Sequence, residues 1–176
     1  MKLIVPNKEK YDCSNVKTIT ILDCSQCPNL KHLNCGNNKI KKLDVSMCPL
    51  LETLVCSKNK ITELVLNTQL KTLVCSFNEI TTLDVSKCLD LTELYCANNK
   101  LTTLDISQCV LLKELFCAEN ELQELDIGNN DLLGHFRCYE NPFTKDFKEF
   151  FINDLEDLDL RQYREYCLSN TGYVLK

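Results

Sequence analysis

A repeat of about 21 residues constrains this chain more than any other feature of its sequence. The repeat is clearest in LTELYCANNKL, residues 91–101, which fits the pattern LxxLxCxxNxL. The pattern begins six times, with steps of 21, 19, 21, 21 and 21 residues, at Leu30, Leu51, Leu70, Leu91, Leu112 and Leu133. A fixed period near 20 residues is typical of a solenoid, in which each coil stacks on the one before it. We therefore predict a repeat solenoid over residues 19–143.

Within each repeat, the alternation Leu-x-Cys predicts a short β-strand, because side chains two residues apart point to the same face of a strand. In one repeat these residues are Leu94 and Cys96. An asparagine follows three residues after each cysteine, and its amide is suited to pair with backbone groups of neighbouring coils. We interpret the leucines and these asparagines as structural: Asn38, Asn59, Asn78, Asn99, Asn120 and Asn141.

The second half of each repeat carries a similar pattern. Residues 101–112 fit LxxLDISxCxxL, with a cysteine in the place of the asparagine, and residues 40–48 and 80–88 repeat it. Asn130 restores the asparagine, which favours the equivalence of the two halves. The pattern leaves open whether the second half forms a strand or only an extended segment.

The LxxLxCxxNxL pattern resembles the leucine-rich repeat family, and its nested second half resembles a bacterial subclass sometimes called IRREKO. The resemblance covers residues 19–143. It implies a right-handed repeat solenoid, α/β by family but rich in β-structure, with a parallel β-sheet on the concave face. It also implies a bacterial or bacterially derived origin and a role in binding proteins.

The two ends of the chain depart from the repeat. Counting back 21 residues places Glu9 and Asp12 where leucine is expected, so we predict an N-terminal cap over residues 1–18, with an edge strand at residues 2–5. After Phe143, apolar residues recur at helical spacing from Phe147, behind a threonine suited to begin a helix. We predict a helical C-terminal cap over residues 144–176.

Composition excludes several classes of function. The 176 residues fit one domain, and a net charge of −5 argues against a nucleic acid or an anionic membrane as partner. No apolar run has the length of a membrane-spanning helix, and the N-terminal MKLIVPNKEKYD lacks the features of a signal peptide. We expect a monomer that contacts neither nucleic acid nor membrane.

Ten of the 13 cysteines occupy positions that the repeat assigns to buried residues. Six lie in the first half of the repeat and four in the second: Cys35, Cys56, Cys75, Cys96, Cys117 and Cys138, then Cys27, Cys48, Cys88 and Cys109. Cysteine at such positions behaves as a small buried hydrophobe. The odd total favours reduced thiols and a cytoplasmic or other reducing compartment. Translocation into a host cell is the alternative location.

One group of cysteines has spacing that is weakly similar to a zinc knuckle. Cys24 and Cys27 form a CxxC motif, followed by His32 and Cys35, and these are ligand types that Zn²⁺ accepts. The repeat accounts for them otherwise, because Cys24 aligns with Val45 in the next coil. We expect no metal and no cofactor, and a thiol or zinc redox sensor is the alternative from another functional class.

The sequence contains no recognisable catalytic arrangement. The only histidines, His32 and His135, lie five coils apart, and there is no HExxH, GxSxG or glycine-rich phosphate loop. We predict that the protein is not an enzyme. A column of aspartates is expected to accept hydrogen bonds within local turns, with a calcium ladder as the alternative: Asp23, Asp44, Asp84, Asp105 and Asp126.

The candidate binding surface lies on the strands of the first half. The residue between leucine and cysteine points away from the core, and the stacked coils place Asn34, Val55, Val74, Tyr95, Phe116 and Arg137 in one column. A contiguous apolar stripe is a candidate interaction site. With three neighbouring residues, the predicted partner-binding set is Val55, Val74, Phe77, Tyr95, Phe116, His135, Arg137 and Tyr139. The competing interpretation is that Val55 and Val74 serve only β-propensity.

These features predict a non-catalytic module that recognises a protein partner through the concave face of the solenoid. The alternative within the same class is a bacterial effector or surface-interaction protein that binds a host protein.

Overall fold

A computed structural model describes residues 1–143, so the helical cap predicted for residues 144–176 lies outside the described residues. The described residues form parallel strands joined by turns, in agreement with the predicted solenoid. The strands are β1 (Lys2–Ile4), β2 (Lys10–Asp12), β3 (Ile21–Asp23), β4 (His32–Asn34), β5 (Lys42–Asp44), β6 (Thr53–Val55), β7 (Glu63–Val65), β8 (Thr72–Val74), β9 (Glu93–Tyr95), β10 (Glu114–Phe116) and β11 (His135–Arg137). None of the described residues belongs to a helix that could span a membrane.

The first halves of the repeats form a seven-stranded parallel sheet in the order β2-β4-β6-β8-β9-β10-β11. Each strand is three residues long, and its central side chain points into the core, as Leu54, Leu73, Leu94 and Leu115 do. Equivalent residues of neighbouring coils pair directly, for example Leu94 with Leu73 and with Leu115. Stacking buries the leucine side chains that a single coil would leave exposed to water.

The N-terminal residues continue this sheet, which the count of 21 residues misses. Strand β2 pairs with β4 so that Tyr11 lies opposite Leu33. Cys13 is buried and its amide donates to the Asn34 carbonyl at 2.8 Å. The step between these coils is therefore 22 residues, and a single inserted residue displaces Glu9 and Asp12 from the leucine positions that we assigned to them.

The second half of the repeat forms strands only in the early coils. Strand β1 pairs with β3, and β5 pairs with β7, as two separate two-stranded sheets. In the later described coils, residues 83–84, 104–105 and 125–126 follow the same path without strand pairing. The second half is thus a marginal strand, and its pairing ends at the short third coil.

The loss of two residues in the third coil has a local structural effect. Asn67 replaces the cysteine of the longer coils, and its Nδ2 donates to the Leu51 carbonyl at 2.8 Å. Beside this coil lies a groove of about 430 Å³ lined by β7 residues and by acidic and hydroxyl side chains of the next two coils, including Glu63, Asp84 and Asp105. The seven-stranded sheet continues past this point, so the deletion is absorbed on the opposite side of the coil.

A left-handed backbone position ends each strand of the large sheet. The residue two places after the cysteine has a positive φ in seven described coils: Asn15, Asn37, Lys58, Phe77, Asn98, Glu119 and Glu140, at 53–60°. Asparagine tolerates this conformation, but lysine, phenylalanine and glutamate rarely adopt it. The sequence analysis assigned the turn to the following asparagine, because the residue types at the left-handed position share no pattern.

Candidate functional site on the face of the large sheet

The outward side chains of the large sheet form a continuous column across its strands. The pairing register places Val55 opposite Val74, Val74 opposite Tyr95, Tyr95 opposite Phe116, and Phe116 opposite Arg137. We call these five residues the stripe. Adjacent parallel strands lie about 4.8 Å apart, so the side chains of the stripe are close neighbours. The first four are half-buried and Arg137 is exposed.

Aromatic contacts hold the centre of the stripe together. The rings of Tyr95 and Phe116 meet edge to face, with centroids 5.0 Å apart and an interplanar angle of 85°. The Arg137 guanidinium carbon lies 4.9 Å from the centre of the Phe116 ring on its other side. Such arrangements add to the free energy of contact beyond burial alone. The geometry fixes three large side chains of the stripe relative to one another.

A carboxylate further anchors Tyr95. Its hydroxyl donates a short hydrogen bond to Glu114 on the neighbouring strand. This hydrogen bond is the main reason that the pKa of Tyr95 is raised to about 12, with burial and the charges of Glu114 and Glu93 adding to it. The phenol therefore remains protonated and oriented at neutral pH. The acidic side chains beside the stripe were not among the predicted site residues, although their alternate strand positions could have indicated them.

Phe77 lies at the end of strand β8, next to the stripe, and has two unusual properties. Its side chain is 50% exposed, and its φ of 58° lies in the left-handed region. The ammonium nitrogen of Lys58, at the equivalent position one coil earlier, is 5.8 Å from the centre of the Phe77 ring. A bulky residue in this conformation carries backbone strain, and strained residues are often found at functional sites.

The remaining two predicted residues lie at the last described coil. His135 is exposed and pairs with Glu114 in the column two residues before the stripe. Tyr139 immediately follows the buried Cys138 and is also exposed. Together with Arg137, they extend the candidate surface to the C-terminal end of the sheet, whereas Val55 begins it near the N-terminal end.

The aspartates of the second half accept hydrogen bonds within their own turns, as predicted. The Oδ1 atom of Asp84 accepts from the Ser86 amide at 3.0 Å and from its hydroxyl at 2.6 Å, and Asp44 does the same with Ser46. These hydrogen bonds from Ser86 lower the pKa of Asp84, and those from Ser25 lower the pKa of Asp23 to about 2. The carboxylates thus have local partners.

We expect acid to destabilise the protein through these aspartates. A carboxyl whose pKa is depressed by folding contributes stability above its unfolded pKa of about 3.9, and this contribution is lost as the pH falls toward the folded value. The free energy of unfolding in urea should therefore decrease as the pH falls from about 4 to about 2. The double variant Asp84→Asn/Asp105→Asn should show a smaller decrease, since hydrogen bonds from serine also lower the pKa of Asp105. An equal decrease in both proteins would contradict this assignment.

All 12 cysteines of the described residues are buried, as the repeat predicted. Seven of them form a ladder along the inner side of the large sheet: Cys13, Cys35, Cys56, Cys75, Cys96, Cys117 and Cys138. Burial raises the pKa of Cys75 and of Cys138 to about 12. Thiols with such a pKa are poor nucleophiles at neutral pH, so the ladder serves packing and not thiol chemistry.

A second group of thiols lies between the early coils. The sulfur atoms of Cys24, Cys27 and Cys48 are all within 4.8 Å of one another, and those of Cys27 and Cys48 are 3.5 Å apart. The sequence analysis grouped the CxxC motif with His32 and Cys35. The structure instead brings Cys48 to it from the next coil, because the repeat stacks residues that are 21 positions apart.

Comparison with known proteins supports the fold and its repeat. A model of leucine-rich repeats in two copies matches residues 68–108. The functional domain of InlJ from Listeria monocytogenes, which includes a cysteine ladder, is 37% identical with a TM-score of 0.59, over 78% of this chain and 36% of that one. No curated protein sequence matches the chain.

Two other bacterial structures are similar at lower identity. A leucine-rich repeat protein of Leptospira interrogans is 21% identical with a TM-score of 0.46, over 76% of this chain and 52% of that one. YopM, a leucine-rich effector protein of Yersinia pestis, is 20% identical with a TM-score of 0.49, over 76% and 49%. The chain thus spans about half or less of the length of each of these three proteins. The six-fold LxxLxCxxNxL pattern, the stacked parallel strands and the similarity to InlJ together show that the chain belongs to the leucine-rich repeat family, in a form similar to bacterial members.

Proposed function

We propose that the protein is a non-catalytic binding module that recognises a protein partner through the stripe on its large sheet. The observation that carries this proposal is the contact of Tyr95 with Phe116 on the outward face, where the core does not require aromatic residues. Aromatic residues and arginine dominate the energetics of many protein interfaces. A contiguous row of such side chains on a rigid sheet therefore favours a docking surface.

The anchored geometry of the stripe supports binding in a second way. Side chains that are free in solution lose conformational entropy when a partner immobilises them. Tyr95 is already held by Phe116 and by the Glu114 carboxylate, and Phe116 lies between Tyr95 and Arg137. The entropic penalty of ordering these side chains on binding is thereby reduced.

The charges beside the stripe indicate the chemistry of the partner. Glu93 and Glu114 are half-buried in the adjacent column, and the Thr72 hydroxyl donates to Glu93 at 3.2 Å. We propose a partner that offers apolar side chains to the stripe and a basic residue to these carboxylates. Electrostatic complementarity of this kind raises the rate and the specificity of association.

The placement of the histidines supports binding over catalysis. His32 lies on β4 and His135 on β11, and four strands of the sheet lie between them. At about 4.8 Å per strand the two residues are separated by roughly 24 Å, too far to act on one substrate. The ladder cysteines have raised pKa values, which disfavours a nucleophilic role for them.

The test is to measure the affinity of single variants for a purified partner, identified by affinity capture and mass spectrometry. Tyr95→Ala and Phe116→Ala should each weaken binding by about 2 kcal/mol or more, roughly 30-fold. Because the two rings contact each other, the double variant should lose less than the sum of the single losses.

Asp84→Lys and Asp105→Lys are the matched controls, since they alter exposed side chains on the second half of the coil. Both should bind the partner with near wild-type affinity. If the aspartate variants abolished binding while the aromatic variants bound normally, the partner would use the other side of the solenoid and the proposal would be wrong.

A further inference from the structure

The thiol cluster of Cys24, Cys27 and Cys48 differs from every other pair of stacked cysteines in the described coils. Cys27 and Cys48 are neighbours in the column of the second half, and Cys88 and Cys109 are equivalent neighbours further along the solenoid. Only the first pair has a third thiol beside it, because Cys24 occupies the position held by Val85 and Ile106 in the second pair. The repeat therefore contains its own two-thiol reference for a three-thiol site.

The sulfur positions fit a single metal ion. With metal–sulfur distances of about 2.3 Å, three sulfur atoms in a plane around one ion are about 4.0 Å apart. The three sulfur atoms lie within 4.8 Å of one another and the closest pair is at 3.5 Å, so small rotations of the side chains would give this arrangement. Two of the thiols also lie near the Cys24 carbonyl oxygen, at 3.0 Å for Cys27 and 3.5 Å for Cys48.

The number and type of ligands identify the class of metal. All three residues are almost completely buried, and among residues 1–143 no histidine, cysteine or carboxylate extends the cluster to four ligands. Structural zinc requires four ligands almost without exception. Soft thiolates in a water-excluded three-ligand site instead suit Cu⁺, a soft ion that accepts three sulfur ligands.

We propose that Cys24, Cys27 and Cys48 form a binding site for one Cu⁺ ion, held between the first coils of the solenoid. Binding replaces the thiol protons with metal–sulfur bonds, and the released protons leave to solvent without any change in oxidation state. Because the ligands come from neighbouring coils, the ion would also cross-link these coils, as structural metal sites couple binding to folding. The site is independent of the stripe and of the proposed partner.

The test is an anaerobic titration of the full chain with Cu⁺ in competition with a chromophoric copper chelator. Wild-type protein should retain one equivalent of copper, and Cys24→Val should lose it. This substitution is expected to preserve the fold, because valine is the buried residue at the equivalent positions 45 and 85. Cys109→Asn is the control: it removes a thiol from the two-thiol pair, uses the residue found at the equivalent positions 67 and 130, and should retain the copper.

X-ray absorption of the copper-loaded wild-type protein provides a measurement that needs no variant. The spectrum should show three sulfur neighbours at about 2.3 Å. Retention of copper by Cys24→Val, two sulfur neighbours in place of three, or preferential binding of Zn²⁺ at equal concentration would overturn the proposal. A disulfide between Cys27 and Cys48 in protein purified without oxidant would also overturn it.

Discussion

Leu94→Ala should destabilise the protein by about 2–5 kcal/mol, the largest effect that we expect from any single truncation in the repeat. Leu94 is completely buried at the centre of strand β9, between Leu73 and Leu115 of the neighbouring coils. Truncation removes apolar contact with both coils and leaves a cavity that the paired strands prevent from closing. The free energy of unfolding in urea measures the effect.

Leu89→Ala is the matched control for this change, because it removes the same atoms from a side chain that is 57% exposed. Its effect on the free energy of unfolding should stay within about 0.5 kcal/mol. Equal stability of Leu94→Ala and Leu89→Ala would mean that the leucine column does not form the core, and the alignment of the coils would be wrong.

Asn99→Ala should destabilise the protein by about 1–3 kcal/mol through lost hydrogen bonds and without a large cavity. The Asn99 Nδ2 atom donates to the carbonyl oxygen of Cys75 in the preceding coil at 3.1 Å and to that of Cys96 in its own coil at 3.0 Å. Its Oδ1 atom accepts from the Ile80 amide at 3.1 Å. Alanine leaves these backbone groups without their side-chain partner at the junction of two coils.

Two further variants separate the amide's hydrogen bonds from other effects of the substitution. Asn99→Asp keeps an acceptor for the Ile80 amide but cannot donate to the two carbonyl groups, so it should be at least as destabilising as alanine. Thr102→Ala, at an exposed position of the same coil, should be nearly neutral. A neutral Asn99→Ala in urea unfolding would show that the asparagine column does not join the coils.

Spacing in the sequence was sufficient to predict the columns of the solenoid. The leucine, cysteine and asparagine positions, and the outward position of the stripe, all depend on a period that the pairing register reproduces. Spacing failed where the period changes, as at Tyr11 and Cys13, because one inserted residue shifts every earlier position by one. The helical cap and the domain boundaries at residues 18 and 143 stay predictions.

Contacts between coils were harder to predict than positions within a coil. The hydrogen bond from Tyr95 to Glu114 depends on side-chain conformation, which the pattern does not specify. The cluster of Cys24 and Cys27 with Cys48 was missed because the motif was sought along the chain instead of across neighbouring coils. The left-handed φ of Phe77 was also missed, since the repeat imposes that backbone conformation on residues of unrelated types.

The one-to-one pairing of the coils has a consequence for how such a protein can change in length. Each strand of the large sheet pairs only with its immediate neighbours, and the loss of two residues in the third coil leaves the pairing of β6 with β8 intact. Duplication of a 21-residue unit would therefore lengthen the sheet by one strand, about 4.8 Å, and create no new environment for the core side chains. It would also add one outward side chain to the stripe, so the gene can adjust the length of the recognition surface in whole-coil increments while the fold remains the same.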